Sequence, residues 1–143
     1  MGTIDRSHKG SQLPDFLLSD PAGKELRLQS LQGKPLLVNL WATWCAPCLA
    51  EMPDLDAMAA GKAQTLLVVP ISQDMEGWKA VDGFFKAGRF RTLQPYLDQP
   101  GSFAEAVKAR GLPMSILYDA RGREVWRVAG TLQWGSAAVR AAL

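Results

Sequence analysis

Cys45 and Cys48 are the only two cysteines in the chain; Ala46 and Pro47 separate them and Trp44 precedes them. In front runs an apolar stretch, Leu36-Leu37-Val38-Asn39-Leu40, and behind come Leu49, Met52, Leu55 and Met58 at helical spacing. The pair therefore sits where a buried strand hands over to the N-terminus of a helix. The first amides of a helix have no intrahelical partner, and the aligned peptide dipoles leave partial positive charge there. That field favours a thiolate at Cys45 over the thiol and lowers its pKa. One helical turn on, Cys48 returns beneath Cys45, close enough to close a small disulfide ring. Pro47 suits the first turn, where its missing N–H is not needed. Such a pair can perform thiol–disulfide exchange, Cys45 attacking and Cys48 resolving the mixed disulfide.

Two other uses of a CxxC pair fit less well. A structural zinc site wants four Cys or His ligands, and beyond the two cysteines the chain has one histidine, His8, in a polar stretch. A purely structural bridge closing so short a loop removes little unfolded-chain entropy.

The elements that must position the pair follow from the rest of the chain. At 143 residues it is long enough to bury a core as one domain. Sixteen Lys+Arg against fourteen Asp+Glu leave +2, scattered rather than clustered, which excludes a nucleic-acid footprint. No apolar run reaches the length of a membrane span, and the polar first residues lack the apolar region of a signal peptide. Residues 1–12 are expected to form a flexible lead-in, a linker remnant for instance, and 13–143 a single domain.

Leu13–Leu18 and Glu25–Leu28, joined by Ser19-Asp20-Pro21-Ala22-Gly23-Lys24, read as a hairpin. A central strand is expected over 35–41 and a helix to about Ala60, with Pro53 inside it kinking the axis. Thr65 to Ser72 reads as a buried parallel strand and Met75 to Ala87 as a helix. Residues 91–98 are ambiguous between loop and short strand, and a short helix follows from Gly101-Ser102 to Lys108. Ser115–Asp119 and Glu124–Gly130 form a second hairpin, and Gln133 to Leu143 a terminal helix. The order gives an α/β fold, a mixed sheet with helices on both faces, an N-terminal β-hairpin extension and a short central insert.

Trp44-Cys45-Ala46-Pro47-Cys48 after a buried strand, Pro53 in the next helix and Gly111-Leu112-Pro113 before a late strand together resemble the thioredoxin fold. With Leu36–Trp44 in front and Glu51-Met52-Pro53 behind, the block is similar to the TlpA-like branch of bacterial thiol–disulfide reductases, whose relatives include the ResA and CcmG types. The likeness spans about residues 13–142 and is nearest in motif to TlpA itself. It implies a protein-disulfide reductase outside the cytoplasm, periplasmic for example, membrane-anchored or released after signal cleavage, and working in cytochrome oxidase copper-site assembly or cytochrome c maturation. It implies no cofactor beyond the redox-active Cys45–Cys48 disulfide and no bound metal. The implied partners are client proteins with a reducible cysteine pair and an electron-donating thiol–disulfide protein, which can be membrane-bound; the chain itself is expected to be a monomer.

The resemblance also assigns residues. Pro113 matches the cis-proline facing the disulfide, which leaves Leu112 to pair with substrate backbone. Glu51 matches an acidic residue one turn past the second cysteine, where a carboxylate raises nearby thiol pKa values and can pass a proton to or from Cys48; a solvated helix-surface glutamate is the plainer reading. Asn39 replaces the buried aspartate of thioredoxin proper, and an amide cannot act as a base. Met114 stands where the family often has threonine; with Leu112 it would form an apolar rim, beside a client-facing surface of Trp44, Ala46 and Pro47 that Trp78 or Trp134 could extend. Two further functions are open to these residues: a Cu(I)-binding assembly factor of the Sco type, holding metal through the two thiolates with Met52 or Met114, and a thiol peroxidase.

Overall fold

A computed structural model describes residues 2–86, 88–98 and 102–143. The chain forms β1 (Leu17–Ser19), β2 (Glu25–Arg27), a 3₁₀ turn (Leu28–Leu31), β3 (Leu36–Trp41), α1 (Ala46–Gly61), β4 (Leu67–Ser72), α2 (Trp78–Phe84), β5 (Tyr96–Leu97), α3 (Ser102–Ala106), β6 (Met114–Tyr118), β7 (Glu124–Ala129) and α4 (Ala137–Ala141). One seven-stranded sheet has the order β2-β1-β5-β4-β3-β6-β7. β3 runs parallel to β4 and antiparallel to β6, so it lies at the centre with both backbone edges paired. This is the thioredoxin-like mixed sheet expected from the sequence.

Alternation along β3 decides what lies on each face. Leu37 and Trp41 enter one core, with Met52 and Leu55 of α1, Val81 of α2 and Trp134. Leu36, Val38 and Leu40 enter a second core, with Leu28 of the 3₁₀ turn and Phe103 of α3. Asn39 shares the α1 face with Leu37 and Trp41, so a polar side chain is placed under the helix that carries the cysteines.

The ambiguous segment 91–98 supplies β5, which joins the N-terminal hairpin to the main sheet by pairing parallel to β4 and antiparallel to β1. Three helices are shorter than their sequence pattern, α3 by ending at Ala106 rather than Lys108. α2 begins at Trp78 rather than Met75, behind Gly77 with φ +68°; of its expected span, Ala87 lies outside the described residues, as does Gly101 before α3. The terminal helix begins after Ser136, whose Oγ accepts the Val139 N–H, rather than at Gln133. α1 runs unbroken past Pro53.

Residues 2–12, expected as a flexible lead-in, lie along the free edge of β7. Asp5 exchanges two backbone hydrogen bonds with Arg127, and Gly10 N–H and Ser11 C=O both bond Glu124. An unpaired outer strand presents a row of free amides and carbonyls, and this segment satisfies those of Glu124 and Arg127. Beneath it Arg127 makes a two-pronged ion pair with buried Glu124, at 2.7 and 2.6 Å.

Candidate active site

β3 ends at Trp41, and the next four residues turn: the Cys45 N–H donates to the Ala42 carbonyl at 3.1 Å, leaving Thr43 and Trp44 at the bend. Cys45 is the N-cap of α1 with extended backbone, and its Sγ accepts the Cys48 N–H at 3.3 Å. A cap atom that meets an otherwise orphan helix amide is well placed to carry negative charge. Cys45 and Cys48 are joined as a disulfide with their Cα atoms 5.3 Å apart. Cys45 keeps 6% of its surface exposed and Cys48 none, so the two cysteines are unequally open to solvent. Ala46 and Pro47 are exposed beside them. Trp44 projects from the bend, 71% exposed.

Glu51 lies one turn further along α1, and it is not a surface residue. It is buried, and its Oε1 accepts from Asn39 Nδ2 at 3.2 Å. Its Oε2 accepts from the Leu132 N–H at 3.3 Å and from Trp134 Nε1 at 3.0 Å. Burial pushes the Glu51 carboxyl above its ordinary pKa, against the lowering by these three bonds. Asn39 also donates to Ser115 Oγ at 2.9 Å, across the β3–β6 pairing in which the two residues are opposite. The network thus crosses three segments under the helix that bears the dithiol. No local signal marks Leu132, Trp134 or Ser115 as partners of Glu51. Sequence alternation only places Asn39 on the α1 face.

Leu112 is half-buried and precedes Pro113, and the peptide bond between them is cis. The Pro113 carbonyl accepts the Gly130 N–H at 2.8 Å, which anchors this bend to the end of β7. Met114 departs from its expected place: it is only 4% exposed, the first residue of β6, packed in the second core. It is therefore not an exposed rim residue, although the half-buried Leu112 packs against the same cluster. Trp134 is likewise core, its indole committed to Glu51, and Trp78 is half-buried with its Nε1 donating to Ser19 Oγ at 2.7 Å. Of the expected client-facing surface, Trp44, Ala46 and Pro47 stand exposed and Leu112 partly so.

One residue absent from the sequence reading stands out. Asp74, just past β4, is buried and bonds both Thr43 of the bend and Ser72 of β4. Ser72-Gln73-Asp74 reads in sequence as an ordinary strand exit, so nothing there announces the contact.

A vicinal-turn dithiol at a helix N-terminus, one sulfur reachable and one covered, presented by a thioredoxin-like sheet, defines a thiol–disulfide oxidoreductase. The Redoxin family description matches residues 8–143, and the chain belongs to that family. Thiol-disulfide oxidoreductase ResA of Bacillus subtilis (strain 168) is 32% identical over 125 residues, covering 87% of this chain and 69% of that protein. The thio-disulfide isomerase of Thermus thermophilus superposes with a TM-score of 0.74 at 30% identity over 87% of each chain. A candidate thiol:disulfide interchange protein DsbE from Chlorobium tepidum gives a TM-score of 0.77 at 26% identity, over 94% of this chain and 91% of that one. These relatives bear out the resemblance to the TlpA/ResA/CcmG type, and with it protein substrates that carry cysteine pairs.

Proposed function

We propose that the protein is an extracytoplasmic reductant of disulfides in client proteins, acting in cytochrome c maturation or cytochrome oxidase copper-site assembly. The observation that carries the reductase reading is the unequal exposure of two bonded sulfurs at the start of α1. In the reduced protein the Cys45 thiolate attacks one sulfur of a client disulfide, giving a mixed disulfide and releasing one client thiolate. The Cys48 thiolate then attacks Cys45 Sγ, closing the Cys45–Cys48 disulfide and releasing the second. Two electrons pass to the client, and nothing beyond the four sulfurs is needed. A separate dithiol protein must then reduce Cys45–Cys48 again.

Glu51 supports the second half of this cycle. Cys48 has no exposed surface, and Glu51, one turn along α1 with its pKa raised by burial, is the carboxyl placed to accept its proton. The exposed Trp44, Ala46 and Pro47 flank the reachable sulfur as the client surface, with Leu112 at the opposite rim as a backbone partner. The names of the relatives, ResA and DsbE, support the cellular setting.

The test is capture. Cys48→Ser leaves Cys45 unable to be resolved, so in the source cell it should accumulate mixed disulfides with particular proteins, identifiable by mass spectrometry. Partners that are cysteine-containing cytochrome or oxidase assembly proteins support the setting. Absence of any adduct, with Cys45 still alkylated by iodoacetamide, would sink the reductase reading.

A further inference from the structure

We propose that Asp74 is a positioning residue for the reaction: its buried carboxylate grips Thr43 and so fixes the bend that holds Trp44 outward and delivers Cys45 to the start of α1. The proposal deepens the reading of Cys45 as the attacking thiol and rests on it.

Asp74 is 4% exposed. Both carboxylate oxygens lie 3.1 Å from the Thr43 N–H. Oδ1 also accepts the Thr43 hydroxyl at 2.6 Å, and Oδ2 the Ser72 hydroxyl at 2.6 Å. Ser72 Oγ in turn accepts the Asp74 N–H at 3.0 Å, so the loop closes on itself. A second tie, Gln73 N–H to the Trp41 carbonyl at 2.8 Å, runs alongside. The exits of the two parallel strands β3 and β4 are thereby bound together immediately before the nucleophile.

Burying a carboxylate is costly unless it is bonded. None of the three ion pairs found among the described residues includes Asp74, so hydrogen-bond donors alone compensate it. Two of its three donors, the N–H and the hydroxyl, belong to Thr43, two residues before Cys45. Hydrogen bonds to a charged acceptor are the strong ones. Thr43 is the second residue of the four-residue turn closed by Cys45 N–H and Ala42 C=O, so holding it fixes the direction in which Trp44 leaves and the place where α1 begins. A nucleophile displaced by about 1 Å can lose on the order of a hundredfold in rate.

Geometry and charge predict opposite outcomes here, which makes the role testable. As a bare charge Asp74 would oppose the Cys45 thiolate, so removing it would help. As a grip, removing it would loosen the bend and hinder attack. Besides Asp74, the ionisable groups on the elements that adjoin Cys45 are Cys48, Glu51, Asp54 and Asp56 on α1 and Glu76 on the Asp74 loop; segments 111–115 and 130–136 carry none. Thr43→Val keeps all of these, the Asp74 charge included, and removes only the hydroxyl donor.

The experiment follows the reaction of the reduced protein with a small aromatic disulfide, 5,5′-dithiobis(2-nitrobenzoate), from pH 4 to 9, and with the disulfides of insulin at neutral pH. Thr43→Val should displace the pH–rate profile of Cys45 upward and slow insulin reduction about tenfold, on the scale by which small misplacements act. Asp74→Asn should also be slower than wild type despite losing a negative charge. A Thr43→Val profile superimposed on wild type would overturn the proposal. So would an Asp74→Asn variant that reacts faster with its profile displaced downward, since that is the behaviour of a charge alone. If Asp74→Asn does not fold, Thr43→Val decides by itself. Wild type that reacts with the small disulfide but not with insulin would count against the client reading and leave the Thr43 comparison valid.

Discussion

Glu51 is the residue at which the proposed proton path and the stability of this protein meet. Its carboxyl pKa is raised, with burial as the largest cause and the bonds from Trp134, Asn39 and Leu132 acting the other way. A raised folded pKa means the native state holds this proton more tightly than the unfolded chain. Stability from this group therefore falls as pH climbs from the unfolded value, about 4.3, through the folded one, and is level above it. Glu51→Gln has no such proton. In the disulfide form, urea midpoints between pH 4 and 8 should show the Gln variant gaining on wild type as pH rises, and parallel curves would refute the linkage. In the dithiol form, removing the negative charge should lower the apparent thiol pKa values, read as thiolate absorbance against pH, with the two cysteines titrating as a coupled pair. Superimposable curves would leave Glu51 as a structural acceptor only. The CxxC chemistry was legible in the sequence because it is local: four residues and a helix start suffice. The burial of Glu51 was not, because it is made by Leu132 and Trp134, more than eighty positions away, and no spacing rule reaches that far.

At the scale of elements, α1 does more than carry the cysteines. Asp56, on its outer half, accepts backbone N–H bonds from Arg91 at 3.1 Å and from Thr92 and Leu93 at 2.9 Å. Burial pushes its pKa up, but the three amides outweigh it and hold the carboxyl below its ordinary range. A lowered folded pKa contributes stability above the unfolded value that is lost as pH falls through the folded one. Asp56→Ala should thus cost about 1–2 kcal/mol near neutral pH, discounted for partial exposure, with the difference shrinking below pH 4; urea titration at both conditions checks it. An unchanged midpoint would mean that the 91–93 segment is held by Leu93 burial alone. The same tie explains why 91–98 was ambiguous in sequence. Its path is set by a helix thirty-five residues earlier, and only Tyr96–Leu97 is left to pair as β5. The terminal helix is shorter than its sequence pattern for a related reason: the Leu132 N–H and Trp134 indole are committed to Glu51, and the helix begins where Ser136 caps it.

For the whole molecule, a mixed sheet covered on both faces and a buried β3 were readable from alternating strands and helices, because continuous apolar runs mark strands buried on both faces; the order of the strands in the sheet was not. The course of residues 2–12 was not, since nothing in their polar composition points to an edge strand 120 positions away. Deleting residues 1–10 removes four backbone hydrogen bonds to β7 and its continuation at Thr131. At about 0.5 kcal/mol net each on an exposed edge, the loss should be about 2 kcal/mol. Amide exchange at Arg127 should quicken with it. Unaltered exchange at Arg127 would show that the segment merely rests on the sheet. The ion pair of Arg127 with Glu124 should survive the deletion, being held from within by the Val107 carbonyl.

The exposure of Trp44 has an optical consequence. Trp41, Trp126 and Trp134 are fully enclosed and Trp78 is half-enclosed, so Trp44 is the one indole of the five lying open to solvent. It is also the one beside the disulfide in sequence, and a neighbouring disulfide quenches excited indole by accepting an electron. Reduction should therefore brighten emission at the long-wavelength, water-exposed end of the spectrum, while iodide should extinguish that component first. Trp44→Phe should remove the long-wavelength part of the change, leaving only what enclosed Trp41, which shares a core cluster with the two cysteines, contributes. The molecule carries its own oxidation-state indicator, readable without label or substrate, on the side chain that a client would be the first to cover.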